Sequence, residues 1–207
     1  MAQITHGVRS ILSHPTAYNF TQRVLGAERA RSGLMRDHIG AKAGDVVFDI
    51  GCGTAELLAH MPEGVRYVGF DLSPEYIEAA KARYGDRGTF ECMDVANYHD
   101  TTFAGGADIA LAIGILHHLD DSQAEALMQA AWDKLRPGGR LITMDGTLIP
   151  DQSWMARSII LRDRGQNIRP PEEYERLASA VFGSVKRTIR HDLLFVPYTH
   201  CVLECTR

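Results

Sequence analysis

Apolar positions in this chain follow two periods. Short continuous runs at Val46–Ile50, Val65–Phe70, Thr89–Met93, Ala107–Ile113 and Arg140–Asp145 read as strands, with Ala107–Ile113 buried on both faces. Stretches of helical period lie between them. Thr54 to about His60 is the first. Ser73-Pro74 opens the next, with Ser as N-cap, Pro at the first helical position and Ile77, Ala80 and Tyr84 on one face. Ser122 and Glu125 make a capping box for a helix running to Leu135, and Pro137-Gly138-Gly139 stops it and turns into the following strand. This alternation predicts a doubly wound parallel sheet.

The flanks read differently. From Pro15 to about Ile39, Tyr18, Phe20, Val24, Leu25, Leu34, Met35 and Ile39 interleave with arginines, while Gly26 and Gly33 weaken a single continuous helix. One or two helices are expected over 1–40 as an N-terminal cap. The cofactor-type core spans 45–146. Residues 147–170 read as an insertion with a short helix around Trp154–Leu161 and a local cluster of Arg157, Arg162, Arg164 and Arg169. Pro170-Pro171 starts another helix, with Tyr174, Leu177, Ala178 and Val181 inward, ended by Gly183. Ser184–Arg190 and Phe195–Thr206 read as an antiparallel strand pair at one edge.

Length and composition suit one soluble domain. The chain has 207 residues, 45% hydrophobic and 23% charged, with a net charge of −4. That charge argues against a nucleic-acid or anionic-membrane partner. No run reaches the roughly 20 apolar residues of a membrane span, and the first residues lack a signal layout, so a cytoplasmic protein is expected. Cys52, Cys92, Cys201 and Cys205 form no Cys-x-x-Cys pair, so no metal site is expected and they read as buried reduced thiols.

The chemistry concentrates at Asp49-Ile50-Gly51-Cys52-Gly53, where an apolar strand ends on an acid and turns on two glycines into a helix. That is the layout of a nucleotide site at the carboxyl edge of a parallel sheet. Asp71 lies 20 residues after Gly51, at the end of the next strand, where an acid can accept both hydroxyls of a ribose. Asp49 just before the glycines, and Glu56 where the dinucleotide fingerprint has its third glycine, would repel a pyrophosphate. A ligand with ammonium and sulfonium centres would be drawn to the same acid. The pattern therefore favours S-adenosylmethionine over NAD.

Together, Val46–Leu57, Val68–Ser73, Asp94-Val95, Ala112–Leu119 and Leu135–Leu141 resemble the motifs of the class I S-adenosylmethionine-dependent methyltransferases, in order over about 40–147. The segment Arg190–Cys201 is similar to that of small bacterial members. One departure is Ala55, where many members have a third glycine. The resemblance implies a Rossmann-like, mostly parallel seven-stranded sheet with an antiparallel C-terminal hairpin. It implies that Asp49, Gly51, Cys52 and Gly53 hold the methionine part, Asp71 the ribose, and Leu72, Asp94 and Val95 the adenine. Ala112 and Ile113 would line the sulfonium side, and Tyr18 and Arg23 would close over the carboxylate.

Methyl transfer needs a positioned nucleophile and, for a hydroxyl, a base. His117 and His118 follow the fourth strand and are the candidates, with a structural role open for both. Asp145, His191, Tyr198 and His200 are candidates for the acceptor side. Arg157 and its neighbours read either as a clamp for an anionic group or as a solvated helix face. The expected activity is methylation of a small molecule, most readily at oxygen. Two alternatives stay open: a member that binds the cofactor without transferring methyl, and an NAD-dependent oxidoreductase.

Overall fold

The computed structural model describes residues 26–99, 103, 105–162 and 165–207. Seven strands form one sheet in the order β3-β2-β1-β4-β5-β7-β6. They are β1 (Val46–Ile50), β2 (Arg66–Phe70), β3 (Gly88–Glu91), β4 (Ala107–Ile113), β5 (Leu135–Gly146), β6 (Ser184–Arg190) and β7 (His200–Thr206). The pairs from β3 through β5 are parallel. β7 runs antiparallel between β5 and β6, completing the expected hairpin. The helices are α1 (Ala27–Leu34), α2 (Pro74–Tyr84), α3 (Asp121–Lys134), α4 (Trp154–Ile160) and α5 (Pro171–Ser179). None of the described helices is long and apolar enough to cross a membrane.

Strand alternation splits the core between the two sheet faces. Val46, Phe48 and Ile50 point into a cluster with Phe70, Met128 and Tyr174; Val47 points into another with Leu34, Ile39, Leu58 and Tyr67. α1 and the wider turn Met35–Ile39 belong to this second layer: Leu34 and Ile39 are fully buried, and Arg140 donates to the carbonyls of His38 and Ile39. The described part of the expected N-terminal cap is thus a face helix of the sheet. The helix runs through Gly33, whose missing side chain makes room for Leu193.

Several boundaries differ from the sequence pattern for local reasons. The segment after the glycine loop is a 3-10 turn, Glu56–His60, because Ala55 takes the left-handed conformation (φ 56) and delays helical geometry past Thr54. The capping box of α3 is Asp120 with Gln123, two residues before the Ser122–Glu125 pair; Asp120 accepts from the Gln123 backbone N–H at 2.9 Å. Pro137-Gly138-Gly139 does not precede β5 but lies within it, at the register shift opposite Ala107 and Ile109. β3 stops at Glu91, which leaves Cys92 exposed rather than buried. β7 starts at His200, and Phe195 is exposed. Asp108 interrupts the apolar run of β4 and accepts from the Val46 N–H at 2.7 Å, joining β4 to the start of β1.

The chain leaves β1 toward β2 and β3 on one side and returns through β4 and β5 on the other. The crevice beyond the carboxyl ends of β1 and β4 is therefore the topological switch point, where open α/β sheets bind ligands.

Candidate active site at the carboxyl edge of the sheet

Gly51 (φ 75), Gly53 (φ 55) and Ala55 (φ 56) are all left-handed, so the loop after β1 coils tightly at the switch point. Gly51 and Cys52 donate their N–H groups to the Phe70 carbonyl. Asp71 fastens the loop from the other side: its Oδ2 accepts from Gly53 N at 3.0 Å and its Oδ1 from Ser73 N at 2.8 Å. Burial raises the Asp71 carboxyl above its ordinary range, against the pull of these N–H donors. Asp49 is buried in front of the loop, and its carboxyl is raised to about 6, first by burial and then by the Asp71 charge, while a hydrogen bond from Tyr67 opposes both. Glu56 is neutralised by Arg83. The acids left at the loop suit a cationic, phosphate-free nucleoside.

The remaining expected cofactor residues divide by burial. Leu72 is 55% exposed at the end of β2, available to a flat ligand. Asp94 is exposed and accepts from the Ala96 N–H, while Val95 is buried in the core beneath it. Ala112 is buried, and Ile113 lies half-buried at the end of β4. Tyr18 and Arg23 lie outside the described residues.

Beyond β4, the turn Leu116–His118 meets the end of β5. His117 Nδ1 lies 2.7 Å from Asp145 Oδ1, and the same oxygen accepts the His117 backbone N–H at 3.2 Å. Both residues are buried. The rings of His117 and His118 lie 4.1 Å apart and tilted. Ile115 reaches back over the glycine loop, so a Cβ on Gly51 would come within 2.6 Å of it. The loop after β1 and the turn after β4 are therefore in contact.

The acceptor-side candidates do not form one cluster. Tyr198 packs against Gly146, whose Cβ would lie 2.4 Å from the phenol oxygen, and its ring stacks 4.6 Å from that of His200. Tyr198 and His191 also line a half-open cavity of about 240 Å³ with Asp151, Gln152 and Thr199. Arg157 is exposed on α4, and Arg162 bonds Ser158 on the same helix. Arg164 lies outside the described residues.

Arg169, the last member of the arginine cluster, is neither a clamp nor a solvated residue. It is buried and donates to the carbonyls of Leu116 (2.9 Å) and Leu119 (2.8 Å) and to the Asp121 carboxylate. It thereby brackets the His117–His118 turn, while Asn167 donates to the His117 carbonyl and Gly165 packs against the His117 ring. No sequence signal separates this arginine from its neighbours. Arg169→Ala would remove the buried donor to the Leu116, Leu119 and Asn167 carbonyls and leave Asp121 with Arg176 alone, and a loss of about 3 kcal/mol is expected in urea denaturation. A change under about 0.5 kcal/mol would show that the bracket contributes nothing.

Comparison with known proteins agrees with this geometry. Residues 48–141 match a family described as a methyltransferase domain. The chain is 37% identical over 118 residues to 27-O-demethylrifamycin SV methyltransferase of Amycolatopsis mediterranei, covering 53% of this chain and 41% of that protein. The chain spans less than half the length of the curated relatives it matches. Among solved structures, the pyocyanin biosynthetic protein PhzM superposes with a TM-score of 0.75 at 18% identity, covering 98% of this chain and 62% of that one. The [4+2]-cyclase SpnF superposes with a TM-score of 0.68 at 14% identity, covering 87% and 80%. With the left-handed glycine loop, the acids at the ends of β1 and β2 and the seven-stranded order, these matches show that residues 48–141 carry a methyltransferase domain, on a sheet with the Rossmann-like fold of the methyltransferase structures.

Proposed function

We propose that this chain transfers a methyl group from S-adenosylmethionine to a hydroxyl oxygen of a small molecule, with His117 as general base. The observation that carries the reading is the buried His117–Asp145 pair, 2.7 Å apart, on the turn whose Ile115 contacts the glycine loop. S-adenosylmethionine supplies, when bound, an electrophilic methyl group. Asp49 and the backbone of Gly51, Cys52 and Gly53 would hold its amino-acid part, and Asp71 the ribose hydroxyls. Leu72, Asp94 and Val95 would border the adenine; Ala112 and Ile113 would border the sulfonium.

The base assignment follows from the pair. In this pair Asp145 would accept from Nδ1–H, and Nε2 would take the proton of an acceptor hydroxyl. Asp145 then stabilises the imidazolium. The His118 ring lies tilted against it, 4.1 Å away between ring centres. The cavity lined by His191 and Tyr198 would take the acceptor body, since Tyr198 packs on Gly146, the residue after Asp145. The rifamycin relative, named for an O-demethylated compound, supports oxygen as the methylated atom. A cytoplasmic setting and no nucleic-acid partner belong to the same reading, and the net charge of −4 supports the second.

A second reading, cofactor binding without methyl transfer, is favoured by the likeness to a cyclase of the same fold. Methyl-labelled S-adenosylmethionine incubated with a panel of phenols and hydroxylated polycycles separates the two. Label in an ether product is the expected result. Tight S-adenosylhomocysteine binding with no label transferred across the panel would favour the second reading. Thermal stabilisation by NAD but not by S-adenosylhomocysteine would overturn both.

A further inference from the structure

Asp49 receives a hydrogen bond from a residue in the middle of the neighbouring strand. Tyr67 donates its hydroxyl to Asp49 Oδ2 at 2.6 Å, both side chains being buried. In the β1–β2 register Tyr67 faces Val47, and Asp49 faces Gly69. The Tyr67 ring must therefore lean along the sheet past position 69, and it can do so because Gly69 has no side chain: a Cβ there would lie 3.0 Å from the ring and 2.8 Å from Cys52 Sγ. On the other side Gly88 pairs with Tyr67 in β3, and a Cβ at 88 would come within 2.9 Å of the same ring. Two glycines thus make a slot, Phe90 tilts against the ring at 5.9 Å, and the slot aims one hydroxyl at one carboxylate.

This arrangement exceeds what packing requires, since a phenylalanine would fill the slot. We propose that Tyr67 is a positioning residue for cofactor capture: its hydroxyl holds Asp49 turned and ionised to receive the cofactor's ammonium group, and so sets the acid limit of cofactor binding. The inference rests on the assignment of Asp49 to the amino-acid part of S-adenosylmethionine. Burial beside Asp49 pushes the Tyr67 phenol well up, so it remains a donor at every working pH. The other titratable groups around the pair are Asp71 at the end of β2, which opposes ionisation of Asp49, the Cys52 thiol in the loop, and Tyr84 on α2 behind Tyr67. Among the described residues affecting its titration, Tyr67 alone favours the Asp49 anion.

The sign follows. Asp49 titrates near 6, and the ammonium is bound by its anion, so affinity is full above that pH and falls below it. Calorimetric titration with S-adenosylhomocysteine should show about tenfold weaker binding at pH 5 than at pH 7. In Tyr67→Phe the donor is lost, and the midpoint should rise by about one pH unit, giving roughly threefold weaker binding at pH 6.5 and little difference above pH 8. 5′-Methylthioadenosine has no ammonium group, and its affinity should stay level over the same range in both proteins. Asp49→Asn, which cannot ionise, should bind S-adenosylhomocysteine weakly and without this pH dependence. An unchanged midpoint in Tyr67→Phe overturns the inference. So does an equal acid loss for 5′-methylthioadenosine, which would locate the effect in loop folding. Absence of S-adenosylhomocysteine binding to the native protein at pH 8 overturns the cofactor assignment itself, and the inference with it.

Discussion

His117→Ala is expected to lower methyl-transfer turnover by about 10²–10⁴ while leaving S-adenosylhomocysteine affinity within about twofold of the native protein. The ring does not contribute to the glycine loop, whose ties are Phe70, Asp71 and its own backbone. In the proposed mechanism, what the substitution removes is the acceptor for the hydroxyl proton. Asp145→Asn should reproduce most of the loss, because an amide turned to accept from Nδ1–H still lacks the charge that stabilises the imidazolium. Turned the other way, it donates to Nδ1 and forces the wrong tautomer. His118→Ala keeps the pair intact and should cost less than His117→Ala. Added imidazole should restore part of the His117→Ala activity, and rescue is the readout that a packing defect would not show. If His118→Ala is the slower enzyme and imidazole rescues only that variant, the base is His118.

The second large effect is expected at Asp71. Its two carboxylate oxygens each hold a backbone N–H, from Gly53 at 3.0 Å and from Ser73 at 2.8 Å. Asp71→Ala removes the tie that sets the glycine loop beside β2, along with the acceptor proposed for the ribose hydroxyls. Hydrogen bonds to a charged group contribute about 1.5–3 kcal/mol each, so cofactor affinity should fall about 10²-fold or more. Asp71→Asn retains one accepting oxygen but presents an NH₂ group to the other N–H, and should lie between. Calorimetry with S-adenosylhomocysteine reads both variants directly. Affinity within twofold of native for Asp71→Ala would remove Asp71 from the site.

These two positions were legible to different degrees. Asp71 stands at a fixed distance from Gly51 because strand, loop and helix lengths set the spacing between neighbouring parallel strands, so its place follows from local pattern. His117 was one of two adjacent histidines, and the pattern around it does not choose between them. The choice comes from Asp145, at the end of a strand whose pairing with β4 brings Thr143 beside Ala112 and Met144 beside Ile113. Arg169 shares its local pattern with Arg157 and Arg162, and nothing local says that its guanidinium turns inward to Leu116 and Leu119. Nothing in the strand Val65–Phe70 singles out Tyr67. Its contact with Asp49 exists only because glycines on two strands fall beside it in register.

The sequence by itself determined the strand–loop–helix order, the acid–glycine turn and the acid after the second strand, and with them the cofactor class, because each depends on residues close along the chain. Tertiary structure decided which histidine meets a carboxylate, that an arginine of the insertion brackets that histidine's turn, and that Tyr67 holds Asp49. Each of these depends on side chains brought together by strand pairing and loop packing. Such contacts are set by register and by the absence of a Cβ at particular glycines, and neither leaves a periodic trace in the chain.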